Sequence, residues 1–161
     1  MDYHTLVEDF ARRTRSNLEA LRRLQDGGVE VFEVTALLNS MLGLLVFPQQ
    51  SYVNRLPEVP LVELAREGWP VPTFEVGHVE AQNLKQLVRM LRNAIAHFNI
   101  QFEAPQGQIS GLRLWNTDPR SGKVTWRVRL STSELEAISL QFVALLLNES
   151  PLAKKYPLSP V

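Results

Sequence analysis

Cysteine is absent from the 161 residues, which removes a disulfide framework, a thiolate metal site and a cysteine nucleophile together. Excess charge is absent too, since 17 Lys+Arg balance 17 Asp+Glu. A protein that coats nucleic acid without preference is strongly basic, so any RNA contact here has to come from a local patch. There is no glycine-rich phosphate loop, no nucleophile elbow and no His-rich or Asp-rich metal spacing, and no metal site is expected. A membrane-length apolar run is missing as well. The most apolar stretch, residues 34–47, includes Thr35, Asn39 and Ser40 and falls short of the roughly 20 residues a bilayer requires, so it reads as a buried core helix. The start, Met1-Asp2-Tyr3-His4, has neither the basic head nor the apolar run of a signal peptide, and the C-terminus has no lipidation box. The expected location is the cytoplasm, without membrane contact.

What is present is a helical pattern that one domain of this length can bury. A first helix is expected from a capping box at Thr5 and Glu8 to Gly27-Gly28, with Val7, Phe10, Thr14, Leu18, Leu21 and Leu24 as its buried stripe. Its back is arginine-rich: Arg12, Arg13, Arg15, Arg22 and Arg23. A second helix, from Val31 to Leu45 and ended by Pro48, is apolar nearly all round. Gly43 would admit a close neighbour there, while Glu33 and Asn39 would need partners. Residues 48–78 hold five of the ten prolines and read as an excursion with one short helix at Pro60 to Gly68 and loop elsewhere. The third long helix is expected over residues 79–98, with Leu84, Leu87, Val88, Leu91, Ile95 and Phe98 in its core stripe.

The period then changes from helical to alternating. Residues 111–115 and 124–130 alternate apolar and polar side chains around the turn residues 116–122, predicting a β-hairpin at about 109–130 with Arg113, Arg127 and Arg129 on its solvent face. Trp115 and Trp126 are expected to pack the hairpin against the helices rather than to stack on a ligand. A second capping box, Ser131 with Glu134, opens the last long helix, which ends at Asn148 and Pro151. The fold class predicted is mainly α: a four-helix bundle with a β-hairpin inserted between the third and fourth long helices. Residues 1–150 would form one domain, and the Pro-rich tail 151–161 is expected to be extended.

Of the three histidines, His4 and His78 fall in flanking or loop positions and are expected to be incidental. His97 differs. At about 100° per residue it lies with Asn93 on the face opposite the core stripe, flanked by Arg89 and Met90, with Arg92 on the shoulder. An exposed helix with a chance histidine at its end would look the same.

The segment Leu91-Arg92-Asn93-Ala94-Ile95-Ala96-His97-Phe98-Asn99 resembles the signature of the HEPN superfamily: arginine, a polar residue, three further residues, then histidine. Its place on the third long helix of a bundle, before an amphipathic fourth helix, also resembles that superfamily. The hairpin and Pro-rich excursion look like additions seen in a prokaryotic branch borne on plasmids and genomes.

The resemblance implies a metal-independent, cofactor-free endoribonuclease of toxin or defence type, in which two protomers bring both motifs into one cleft and the ribose 2′-OH attacks the neighbouring phosphate. It would make His97 the general base or acid, Arg92 the stabiliser of phosphate charge and Asn93 the orienting residue. On an ideal helix Arg92 and His97 stand about 140° apart, so a site shared across a two-fold axis, or a loosened helix end, is needed to bring them together. A homodimer through this helix is therefore expected. Phosphate contacts would come from Arg89, from Arg12, Arg15 and Arg22 on the first helix, and from Arg113, Arg127 and Arg129 on the hairpin. A nucleotidyltransferase-like antitoxin is a further partner the resemblance suggests. The competing readings are a non-catalytic HEPN module that binds nucleic acid, nucleotide or protein, and a plain helical scaffold.

Overall fold

A computed structural model describes residues 3–46, 53–75, 79–107 and 109–158. His78 and Pro48, each given a reading above, lie outside them, as do the side chains of His4, Thr5 and Glu33.

Two helices open the chain. Helix α1 (Tyr3–Asp26) buries Val7, Ala11, Thr14 and Leu18. It is already helical at Tyr3, so Thr5 is inside the helix and not its cap. Helix α2 (Glu33–Met41) passes into a π-helical turn, Leu42–Val46. Gly43 sits in that turn where a Cβ would collide with the Phe10 ring of α1, so the glycine does permit a close approach. Helix α2 is not enclosed, however. Leu37 and Met41 are buried, but Asn39 is exposed and needs no internal partner.

The proline-rich segment contributes to the core. Val53, Leu56, Val59 and Trp69 are buried in it, and helix α3 (Leu61–Arg66) buries Leu64, with Pro60 as N-cap and Gly68 just beyond at φ 80°. After Pro70 and Pro72 comes a short strand, β1 (Thr73–Phe74), where only loop was expected. A strand of two residues at a sheet edge is where such prolines are tolerated.

Helix α4 (Leu84–Ala96) starts five residues later than the hydrophobic period suggested, because Asn83 caps it by accepting a hydrogen bond from the Gln86 N–H at 2.9 Å. Residue Val79 instead donates its N–H to the Thr125 carbonyl at 3.0 Å. Helix α4 buries Leu84, Leu87, Val88, Leu91, Ala94 and Ile95. Strand β2 (Ile100–Glu103) follows at once, then β3 (Gly111–Thr117), β4 (Val124–Ser131), α5 (Thr132–Leu146) and α6 (Pro151–Lys155).

The expectation of a helical bundle carrying only a hairpin is therefore corrected. Hairpin β3–β4 is the centre of a four-stranded antiparallel sheet of order β1-β4-β3-β2, beside six α-helices among the described residues. The two outer strands carry no alternating signal in the sequence, because each is at most four residues long and lies beside prolines or a helix end. One sheet face, with Leu112, Leu114, Trp126, Val128 and Leu130 all at most 1% exposed, packs into the helical core.

The last long helix has the anticipated capping box, with the Ser131 hydroxyl accepting from the Glu134 N–H and the Glu134 carboxylate from the Ser131 N–H. The chain beyond it is not extended through 151–155. Pro151 starts α6, whose Leu152 and Ala153 are buried, with Ser150 as its cap. Glu63 of α3 holds this end by accepting from Lys155 and Tyr156. Arg15 likewise pairs with Glu149 and ties α1 to the start of that terminal segment.

These contacts hold the Glu63 and Glu149 carboxyls below the ordinary carboxylate range, Glu63 chiefly through the Tyr156 hydroxyl and Glu149 chiefly through Arg15. A carboxyl lowered in the folded state adds stability above its unfolded value of about 4.3 and loses it as pH falls through the folded one. Thermal melts are expected to show wild type losing more stability between about pH 5 and pH 3 than Glu149→Gln with Glu63→Gln. Identical acid slopes would show that the two clamps contribute nothing, as exposed ion pairs sometimes do.

Candidate active site

The end of α4 sets the geometry. His97 is the C-cap, its N–H donating to the Asn93 carbonyl at 3.1 Å. Phe98 then adopts φ 54°, the left-handed conformation, and the Phe98 and Asn99 N–H groups donate back to Ile95 and Ala94 at 3.0 and 2.8 Å. This is the paired closure of a Schellman stop, with phenylalanine at the position glycine usually fills. It explains why Phe98, placed in the core stripe by spacing, is 75% exposed. The helix ends before its period can return that side chain to the core.

Around this stop lies an open cavity of about 730 Å³. Helix α4 supplies Gln86, Arg89, Met90, Asn93 and His97 to its wall, and the chain after the stop supplies Asn99. The tip of the hairpin supplies Asn116, Thr117, Asp118 and Pro119, with Val79, Thr125 and Trp126 completing the lining. The Asn116 side-chain N–H₂ donates to the Met90 carbonyl at 2.9 Å and fixes the hairpin against the helix.

Of the residues singled out for chemistry, Asn93 and His97 are exposed on the cavity and Arg89 stands with them. Arg92 does not line it. It is half-buried and engaged within the chain, as its angular offset on the helix required.

The other arginines occupy different ground. On α1, Arg15 pairs with Glu149, Arg22 with Glu136 of α5 at 3.3 Å and Arg13 with Asp9 at 2.8 Å, while Arg12 is exposed and its charge acts on Glu149. On the outer sheet face, Glu103 lies 3.0 Å from Arg113 and 2.6 Å from Arg129, and Glu75 3.2 Å from Arg127. None of these arginines reaches the cavity. Trp126 is buried as expected, but Trp115 shares the outer face with Arg113 and Arg127 and does not pack inward.

Nothing in the sequence marks Asn99, Asn116, Thr117 and Asp118 as cavity residues: Asn99 simply follows the helix, and residues 116–118 between two strands read first as turn chemistry. That reading is also true: Asp118 Oδ1 accepts from the Arg120 and Ser121 N–H groups at 3.0 and 2.7 Å. These bonds, with Ser121 foremost, hold its carboxyl below the usual range. Trp126 adds an unusual feature. Its indole N–H is buried without an acceptor among the described residues, a state that costs about 1–3 kcal/mol. Among the described residues no three His, Asp or Glu side chains converge to hold a metal, and no helix is long and apolar enough to cross a membrane.

The family HEPN pEK499 p136 matches residues 1–152 of the chain. The chain belongs to the HEPN superfamily. The match takes in α4, the sheet and α5, so the strands are part of the matched HEPN region. No curated protein and no solved structure matches the chain.

The exposed Phe98 tests the account of the helix stop. A non-glycine residue in the left-handed region costs about 1 kcal/mol. Phe98→Gly is therefore expected to be at least as stable as wild type in denaturant unfolding, by up to about 1 kcal/mol. A loss of stability would show that the ring is held by packing instead.

Proposed function

We propose that this HEPN protein is a metal-independent endoribonuclease of toxin or defence type, working as a homodimer. The observation that carries the reading is the placement of Asn93 and His97, with Arg89, on an open cavity at the end of α4. Neither side chain is spent on the core.

In the reaction a ribose 2′-OH loses its proton to an imidazole and attacks the adjacent phosphorus. The 5′-oxygen leaves and takes a proton from a second acid, giving a 2′,3′-cyclic phosphate and a 5′-hydroxyl. Imidazole suits both proton steps because its protonation changes near neutral pH. A two-fold dimer supplies two copies of His97, one for each step. Arg89, an exposed cation on the same wall as His97, is placed to draw the phosphate in. Arg92 stabilises the charge that builds on the phosphate in the transition state, and it does so from the second protomer, because in its own chain it faces away from the cavity.

The position of Arg92 also gives the second reading its one support. A HEPN module that binds nucleotides without cleaving them needs Asn93, His97 and the cavity, but has no use for a converging Arg92.

Cleavage of total or transfer RNA in EDTA separates the two readings. Wild type is expected to cut, leaving cyclic-phosphate ends. His97→Ala and Arg92→Ala are each expected to lower the rate by at least about 100-fold, the range for loss of a proton-transfer group or a charge stabiliser, with a dimer mass retained in sedimentation. Equal cleavage by all three would assign the activity to a contaminant. A stable dimer with no cleavage would favour the binding module.

A further inference from the structure

The cavity has two unlike walls. One, on α4, presents Arg89 and His97 and suits a phosphate. The other, on the hairpin tip, is lined by Asn116, Thr117 and Asp118. Asp118 is locked in place, because its Oδ1 also accepts from the Ser121 hydroxyl at 2.9 Å besides the two backbone N–H groups. An ionised carboxylate offers acceptors only. It repels phosphate oxygens and favours ligand N–H₂ groups, so a nucleotide in this cavity is oriented with its phosphate on the helix wall and its base on the hairpin wall. Trp126 also lines the cavity, but it is 1% exposed and its indole N–H is buried, so the base meets the hairpin tip and not that donor.

Taken together, the geometry points to a base-reading subsite formed by the hairpin tip, which takes a nucleobase bearing an exocyclic amino group (adenine, cytosine or guanine) and disfavours uracil, with Asp118 as the specificity-determining residue. Uracil has no amino group; its one pairing-edge donor, N3–H, lies between two carbonyls, so a fixed carboxylate that accepts from it is set against their oxygens, whereas an exocyclic amino group projects its N–H beyond the ring. The proposal rests on the ribonuclease reading only for the place of the phosphate. The base wall is the same whether the bound nucleotide is cleaved or merely held.

Binding of nucleoside 3′-monophosphates to the full-length protein tests it without turnover. With calorimetry or NMR titration, at least one of AMP, CMP and GMP is expected to bind about 10-fold or more tightly than UMP, equivalent to roughly 1.4 kcal/mol. In Asp118→Asn, whose amide oxygen can still accept the turn bonds, the gap is expected to shrink to about 3-fold or less. UMP binding as tightly as the other three, selectivity unchanged in Asp118→Asn, or no binding of any nucleotide would overturn the subsite. The wild-type comparison alone is decisive if the variant unfolds. Selective binding without RNA cleavage would sustain the subsite while removing the ribonuclease reading, and RNA cleavage without nucleotide selectivity would do the reverse.

Discussion

The left-handed turn at Phe98 halts α4 after 13 residues and leaves His97 at the helix end rather than in its middle. A further helical turn would have carried Ile100 and Phe102 along the helix axis. Instead the chain reverses into β2, whose residues pair with β3 from Ile100 opposite Leu114 to Glu103 opposite Gly111. Strand β3 continues to Thr117 and delivers Asn116 to the Met90 carbonyl. Helix stop, sheet and cavity are consequences of one another. The stop closes its own backbone bonds, so the cost of an aromatic residue in an unfavourable conformation is met locally.

Charge is divided in a way that suits a neutral chain. The arginines of α1 and the sheet are largely matched by Glu136, Glu149, Glu75 and Glu103, and serve to hold elements in place. At the cavity the balance differs: Arg89 and His97 stand on one wall and Asp118 on the other. A polar pocket with a cation on one wall and an anchored anion on the other orients a ligand more than it attracts one, which agrees with a protein whose net charge at pH 7 is zero.

Much of this was legible in the sequence, and the gaps have physical causes. Strict alternation in residues 124–130 and the Ser131 capping box are local signals, and both elements formed where they were expected. Strands β1 and β2 left no such signal, since a strand of two or four residues depends on its partner's hydrogen bonds rather than on its own pattern. The stop at Phe98 was hidden because nothing marks phenylalanine as a left-handed residue. At the site, helical spacing sufficed to put Asn93 and His97 on one face and Arg92 off it. The hairpin wall was invisible because its residues are long-range neighbours, 26 positions apart in the case of Asn116 and Met90.

The central claim is that a complete site draws Arg92 and His97 from different protomers, and mixed dimers test it most directly. Wild type and the double variant Arg92→Ala with His97→Ala would be unfolded, combined in equal amounts and refolded. Random pairing makes about a quarter of the dimers wild type on both sides and about half mixed; a site that needs residues of both protomers is dead in every mixed dimer, so RNA cleavage is predicted to fall to about a quarter of that of the same amount of all-wild-type dimer. Retention of about half, with mixed dimers present, would contradict the account and would place a complete site within one protomer.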